Sequence, residues 1–224
     1  MTIRLMLAGL LVVTGGLSPA IAQGGRVYAG GLFGVSTLSA DGRSIITPTA
    51  ASVSLYKPEN GAAVNAFVGI HLHRYFSLQA NYMWNRNDLR LVSSFASSAG
   101  STFYEQPRSS AQHAVVADAL LYFRALGSGI RPYLSTGLSV LRFTSEPAGG
   151  GIASGASPPA GRLSSTHIAL RSAVGIDLAM SDGWSFRYSF SETIGGNPVS
   201  PHLTPPGERR LANFQNLFGV VRQF

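Results

Sequence analysis

The chain has no cysteine. That excludes a disulfide scaffold and a lipid-anchored amino-terminal cysteine, and it suits an oxidising compartment in which a stray thiol is a liability. Lysine is almost missing as well: Lys57 is the only one, so the cations are arginines. Charged residues make up 12% of the 224, about half the share in an ordinary soluble domain. Long apolar runs are also scarce. A helical membrane protein would need repeated runs of roughly 20 apolar residues, and the only long apolar run, shorter than that, lies near the amino terminus. A soluble β protein or a membrane barrel remains. The formal charge is +7, but no basic run, basic helix or nucleic-acid motif accompanies it, so no nucleic-acid partner is expected. A Gly-rich phosphate loop and a Gly-x-Ser-x-Gly elbow are missing too.

What is there begins with a secretory signal. Arg4 supplies a positive n-region, Leu5 to Val13 an apolar core too short to span a bilayer, and Ala20-Ile21-Ala22 a small-residue cleavage site. Residues 1–22 are therefore expected to be a cleaved signal peptide and 23–224 a single domain starting at Gln23, with the charge falling to +6 as Arg4 leaves.

Beyond it, alternation of apolar and polar residues marks strands with two unlike faces. Eight segments show it: 26–36, 63–72, 76–85, 113–124, 131–143, 167–180, 184–191 and 211–224. The clearest is the third, where Phe76, Leu78, Ala80, Tyr82 and Trp84 oppose Ser77, Gln79, Asn81 and Asn85. In the fourth, Val115, Ala117, Ala119, Leu121 and Phe123 oppose Asp118 and Tyr122. In the fifth, Leu134, Thr136, Leu138 and Val140 oppose Tyr133, Ser135, Gly137 and Ser139. Long polar stretches (to Gly61, Arg86–Gln112, the low-complexity Thr144–Ser165, and the Pro-rich Glu192–Arg210) alternate with short turns at His73–Tyr75, Ala125–Ile130 and Ser181–Gly183. A soluble sandwich has no reason to segregate loop length this way. A membrane barrel with an even number of antiparallel strands has one. The expected fold is all-β, an eight-stranded antiparallel up-and-down transmembrane barrel. Aromatics agree: Tyr75, Phe76, Phe123, Tyr133, Trp184 and Phe224 fall at the short-turn end, and Tyr82, Trp84, Phe143 and Phe214 at the long-loop end, as two interfacial girdles.

Eight strands enclose a lumen that side chains fill, so inward charges need partners. If Met180 pairs with Trp184, Asp177 falls opposite Arg187 and both point inward; such a cross-strand pair contributes roughly 0.2–1 kcal/mol, more if shielded from water. Asp118 and Arg171 extend an interior polar network. The inward small residues Gly69, Ser77, Ser135, Gly137, Ser139, Gly175, Ser185 and Ser189 leave room for a water path. His71 and His73 share one strand face by spacing, but with no third ligand in view no metal is expected. Among the loop cations, Arg43, Lys57, Arg86, Arg90, Arg108, Arg162, Arg209 and Arg210 suit contact with phosphates, for which the guanidinium fork is fitted.

The last segment, LANFQNLFGVVRQF, carries Phe214, Phe218, Val220 and Phe224 on one face. Together with RPYLSTGLSV (131–140), VGIDLAMSDGWSFRYSF (174–190) and the loop alternation, it resembles the OmpA/OmpX-type small outer-membrane β-barrel family over residues 26–224. The resemblance implies residence in the cell outer membrane among lipid and lipopolysaccharide, both termini periplasmic, and a monomer without cofactor. It further implies that the last strand pairs with the first and that Phe224 is the signal read by the outer-membrane insertion machinery. The peptidoglycan-binding domain that OmpA-like proteins append is not expected. Two functions follow, a structural or surface-interaction barrel and a narrow porin-like pore for ions or small solutes. A third is a lipid-A-modifying enzyme, for which Glu146, Ser165 and His167 would form a rim constellation, although the His-x-Ser signature of the deacylase branch is missing. No catalytic residue is assigned.

Overall fold

In the computed structural model the described residues are 26–224; the expected signal peptide and its cleavage site lie outside them. Eleven strands follow in order: β1 Arg26–Leu38, β2 Asp41–Thr47, β3 Ala50–Pro58, β4 Gly61–His73, β5 Phe76–Ser97, β6 Gly100–Tyr122, β7 Ile130–Pro147, β8 Ile152–Ser154, β9 Leu163–Ala179, β10 Trp184–Gly196 and β11 Arg210–Gln223. Eight of them (β1, β4, β5, β6, β7, β9, β10 and β11) form a closed antiparallel ring, each paired to the next and β11 back to β1. The closing ladder runs from Tyr28 opposite Gln223 to Leu38 opposite Asn213. A ring of this kind leaves none of its own strands with an unpaired edge.

The alternation read from the sequence sorts the side chains. Leu121, Leu138, Val140, Ile168 and Phe218 stand exposed on the outer surface, while Ser77, Gln79, Asn81, Asp118 and Ser139 are buried inside. An apolar outside around a polar inside is the reverse of a soluble protein and fits a barrel held in an apolar medium. Two of the expected girdle aromatics point the other way. Tyr133 and Phe143 share the inward parity of Ser135 and Ser139 and are buried in the lumen.

The stretch 86–112 is not a loop. β5 and β6, of 22 and 23 residues, run on as one hairpin to a turn at Ser98-Ala99. Their reach, ~70 Å at 3.2–3.4 Å per residue, far exceeds the ~9–11 residues needed to cross a bilayer. Its polar composition has a physical cause. Beyond Arg86 the pattern inverts, with Leu89 and Leu91 buried inside and Asp88 and Arg90 exposed outside, as expected where the outer surface passes from an apolar medium into water. β2 and β3 add a second hairpin beside β5, and β8 joins β6. The strands likewise claim both ends of the 144–165 stretch, up to Pro147 and from Leu163.

Candidate functional site

The lumen is built by register. The turn at Ser181–Gly183 is closed by Met180 N–H donating to the Trp184 carbonyl at 2.9 Å, with Asp182 and Gly183 at positive φ. Counting from it, Asp177 on β9 stands opposite Arg187 on β10. Both are buried. Arg187 Nε donates to Asp177 Oδ1 at 2.6 Å and Nη2 to Oδ2 at 2.7 Å, a two-pronged pair of the kind that suits a guanidinium. Its Nη1 donates to Gln79 Oε1 at 2.8 Å and its Nη2 also to the Tyr122 hydroxyl at 2.9 Å. Phe67 and Tyr133 close over the guanidinium with ring centroids at 4.9 and 5.0 Å.

Glycine makes this packing possible. Tyr28 stands opposite Gly69, and Tyr133 opposite Gly175. A methyl group built at either glycine would overlap the facing phenol ring. The space that Gly69 and Gly175 were expected to leave open is taken by aromatic rings, and that at Gly137 by Asp118 and the Ala117 carbonyl.

One layer further in, Arg171 donates to Asp118 Oδ2 and Asn81 Nδ2 donates to the same oxygen at 3.0 Å. Gln79 Nε2 donates to Asn81 Oδ1 at 2.6 Å. Because Gln79 also accepts from Arg187, the two ion pairs belong to one network. Sequence reasoning placed Gln79 and Asn81 inward without seeing that they join it. Above them lies an amide belt: Asn213 Nδ2 donates to Gln112 Oε1 at 2.8 Å and to Asn85 Oδ1 at 3.1 Å, and Ser36 and Asn87 complete it.

Toward the long loops the lumen turns apolar. Leu38, Leu89, Leu91 and Phe143 pack there, in a cluster that continues down to Met83 and Leu141. Val199 and Leu203, from the segment between β10 and β11, insert among them and are buried as deeply as the strand residues. Asn197 shapes that segment: its Oδ1 accepts the Val199 and Ser200 N–H groups. Nothing in the composition of a Pro-rich loop identifies it as a plug; only the isolated Val199 and Leu203 hint at it.

Arg108 is buried, which corrects its reading as a solvent-facing cation. All five of its N–H donors are used: Ser145 Oγ, Ser145 O, Gln106 Oε1, Pro159 O and Gly161 O accept them at 2.8–3.1 Å. It thereby fastens the 155–162 loop to β6 and β7. Burial lowers the pKa of its guanidinium from the ordinary value. Arg43, Lys57, Arg86, Arg90, Arg162, Arg209 and Arg210 are exposed, and Arg90 pairs with Glu105 at 2.6 Å.

The rim constellation does not form. Ser165 and His167 share the inward parity of β9 and approach each other at 3.5 Å, while Glu146 is exposed and pairs with Arg162 at 3.4 Å. Nor do His71 and His73 share a face. A register shift between them leaves His71 buried beside Ser77, at 2.6 Å from its hydroxyl, and His73 exposed at the turn. Among the described residues no three His, Asp or Glu side chains converge as metal ligands.

Comparison with known proteins returns one domain description. A sequence model of the outer membrane protein β-barrel domain matches residues 8–216. No curated protein matches the sequence. Among solved structures, Neisserial surface protein A aligns over 90% of this chain and 98% of its own at 16% identity, with a TM-score of 0.47. OprG from Pseudomonas aeruginosa aligns over 90% and 96% at 10% identity, TM-score 0.47. Ail of Yersinia pestis aligns over 89% and 99% at 9% identity, TM-score 0.46.

Proposed function

The chain belongs to the outer membrane protein β-barrel domain family, and on that premise we propose that it is a closed barrel with a structural and surface-interaction role. The supporting observation is the layered filling of its lumen: a charged network around Arg187, an amide belt, and an apolar plug completed by Val199 and Leu203. A water path must break several buried hydrogen bonds in the first two layers and expel apolar side chains from the third.

In this reading the short turns face the periplasm, as they do in barrels of this architecture. Both ends of the described chain then lie on that side, since β1 begins and β11 ends at the short-turn end. The hairpins and the plug segment form the outward display. Exposed Arg86 and Arg142, just beyond the apolar belt on β5 and β7, meet lipopolysaccharide phosphates. Phe224, exposed on the outer face beyond β11 and held by its N–H to the Val27 carbonyl at 2.9 Å, serves as the insertion signal. The barrel acts as a monomer, takes no cofactor or nucleic acid, and has no catalytic role.

The test is single-channel recording of the folded, detergent-purified protein in a planar bilayer. The proposal expects silence from protein shown to be inserted. Discrete steps that change with substitution of Asp177 or Arg187 would replace it with a narrow pore.

A further inference from the structure

The buried charges of the lumen do not balance. Among the described residues they are Arg108, Arg131, Arg171 and Arg187 against Asp118 and Asp177. Arg171 and Arg187 take the two carboxylates, and Arg108 is satisfied by neutral oxygens. Arg131 is left. Its side chain is 3% exposed, and Nε, Nη1 and Nη2 meet no hydrogen-bond acceptor among the described residues. The guanidinium lies 3.8 Å over the Tyr122 ring, which supports it on one face and offers its N–H groups nothing. Asp177 is its registered neighbour across β7 and β9, but both carboxylate oxygens already serve Arg187 and Oδ2 also accepts from Tyr122.

Arg131 lines a cavity of about 270 Å³ at the short-turn end, between the turns at 127–128 and 180–183. Ser128, Ser181 and Ser185 add hydroxyls to its wall. The space exceeds what one small ion needs, since a water molecule takes ~30 Å³ of the liquid. Asp177, paired to Arg187, is part of its wall. Asp182, the other acid in the wall, is exposed at the mouth, where solvent screens it.

We propose that this cavity is a binding site for a small free oxyanion, a carboxylate or phosphate, held by the guanidinium fork of Arg131 as it swings from the Tyr122 ring, where its nitrogens are shut off from solvent, into the cavity. The fork presents parallel N–H groups matched to two oxygens of one anion, and the anion supplies the negative charge that the lumen lacks. The site depends on the surplus arginine alone, so it stands whether the barrel is silent or conducts.

Calorimetric titration of the full-length folded protein in an alkyl glucoside detergent at low salt tests it, with sodium acetate and sodium phosphate as separate probes. At least one should bind, and Arg131→Gln should weaken that binding about tenfold or more. Arg131→Lys, which keeps the charge and loses the fork, should fall between. Binding by neither probe, or equal binding to the wild type and Arg131→Gln, would overturn the proposal. An independent reading needs no variant: the bound anion must raise the urea midpoint of the wild type, and an unchanged midpoint in both salts also overturns it.

Discussion

Asp177 stands opposite Arg187 across β9 and β10, and its two carboxylate oxygens accept the Arg187 Nε and Nη2 groups at 2.6 and 2.7 Å inside the lumen. The pair holds a guanidinium that also organises Gln79 and Tyr122. Removing the carboxylate strands that charge away from water. Asp177→Ala should therefore destabilise the barrel by about 3–5 kcal/mol. Urea unfolding in lipid vesicles measures it, and an unchanged midpoint would show that the pair contributes nothing.

Tyr133 and Gly175 form a second coupled pair. The phenol ring occupies the space over the glycine, so Gly175→Ala forces the ring to move within a packed lumen. Overpacking of this kind costs about 1–3 kcal/mol. Tyr133→Ala should remove the ring's share of the conflict and leave the Tyr188 carbonyl 2.5 Å from the added methyl, so the double variant should still lose less than the sum of the two single losses. Additive losses would show that the ring and the glycine do not interact.

The pairing of Asp177 with Arg187 was legible in the sequence because a three-residue turn fixes register over the few residues that separate them. The eight ring strands were legible for a related reason, since a bilayer outside and a polar lumen inside give a period-2 pattern of constant sense. That sense reverses above the belt, where Leu89 and Leu91 turn inward and Arg90 outward. A reading tuned to one sense takes the reversed part for a loop. Tyr133, Phe143 and Arg131 were available from parity alone, as each falls two or four residues from an inward serine. The plug was not available, because its place depends on a loop returning over the barrel, which no local pattern records. The five acceptors around Arg108 come from β6, β7 and the following loop, so sequence alone offered nothing to distinguish it from the exposed arginines.

Arg108 predicts a local effect. Arg108→Met keeps the apolar stem and removes all five donors, leaving the Pro159 and Gly161 carbonyls without their guanidinium partner. Buried Gln106 and Ser145 lose theirs as well, and each buried group so abandoned costs about 1–3 kcal/mol unless water reaches it. Water enters most easily by releasing the loop. The expected result is proteolytic cleavage within 155–162 in an otherwise folded barrel. Protection equal to the wild type would mean that the loop is held by other contacts.

The plug and the charged network close the lumen separately. Leu203→Asp places a carboxylate among Leu38, Leu91 and Phe143, a burial that an unpaired charge avoids by leaving. The segment between β10 and β11 should lift, shown by faster amide hydrogen exchange in 197–209. The bilayer recording should stay silent because the Arg187 network remains. Conduction by this variant would mean that the plug alone seals the barrel.

Contact with lipopolysaccharide makes the last prediction, and it concerns the outer surface only. Arg142 lies opposite His113, and Arg86 opposite Ala111, two residues earlier on β6, so their side chains flank one strand near the edge of the apolar belt. Both are exposed, and among the described residues Arg86 makes one 3.3 Å hydrogen bond, to Ser109. Phosphates at that level would accept from both. Exposed ion pairs contribute about 0.2–1 kcal/mol each, so Arg86→Ser with Arg142→Ser should reduce the stability gained in lipopolysaccharide-containing bilayers over phosphatidylcholine by about 1 kcal/mol. Stability in phosphatidylcholine alone should change little. The difference should shrink as salt rises, because screening acts on exposed charges first. A loss equal in both bilayers would assign the two arginines to the barrel itself and remove the phosphate contact from the proposed surface role.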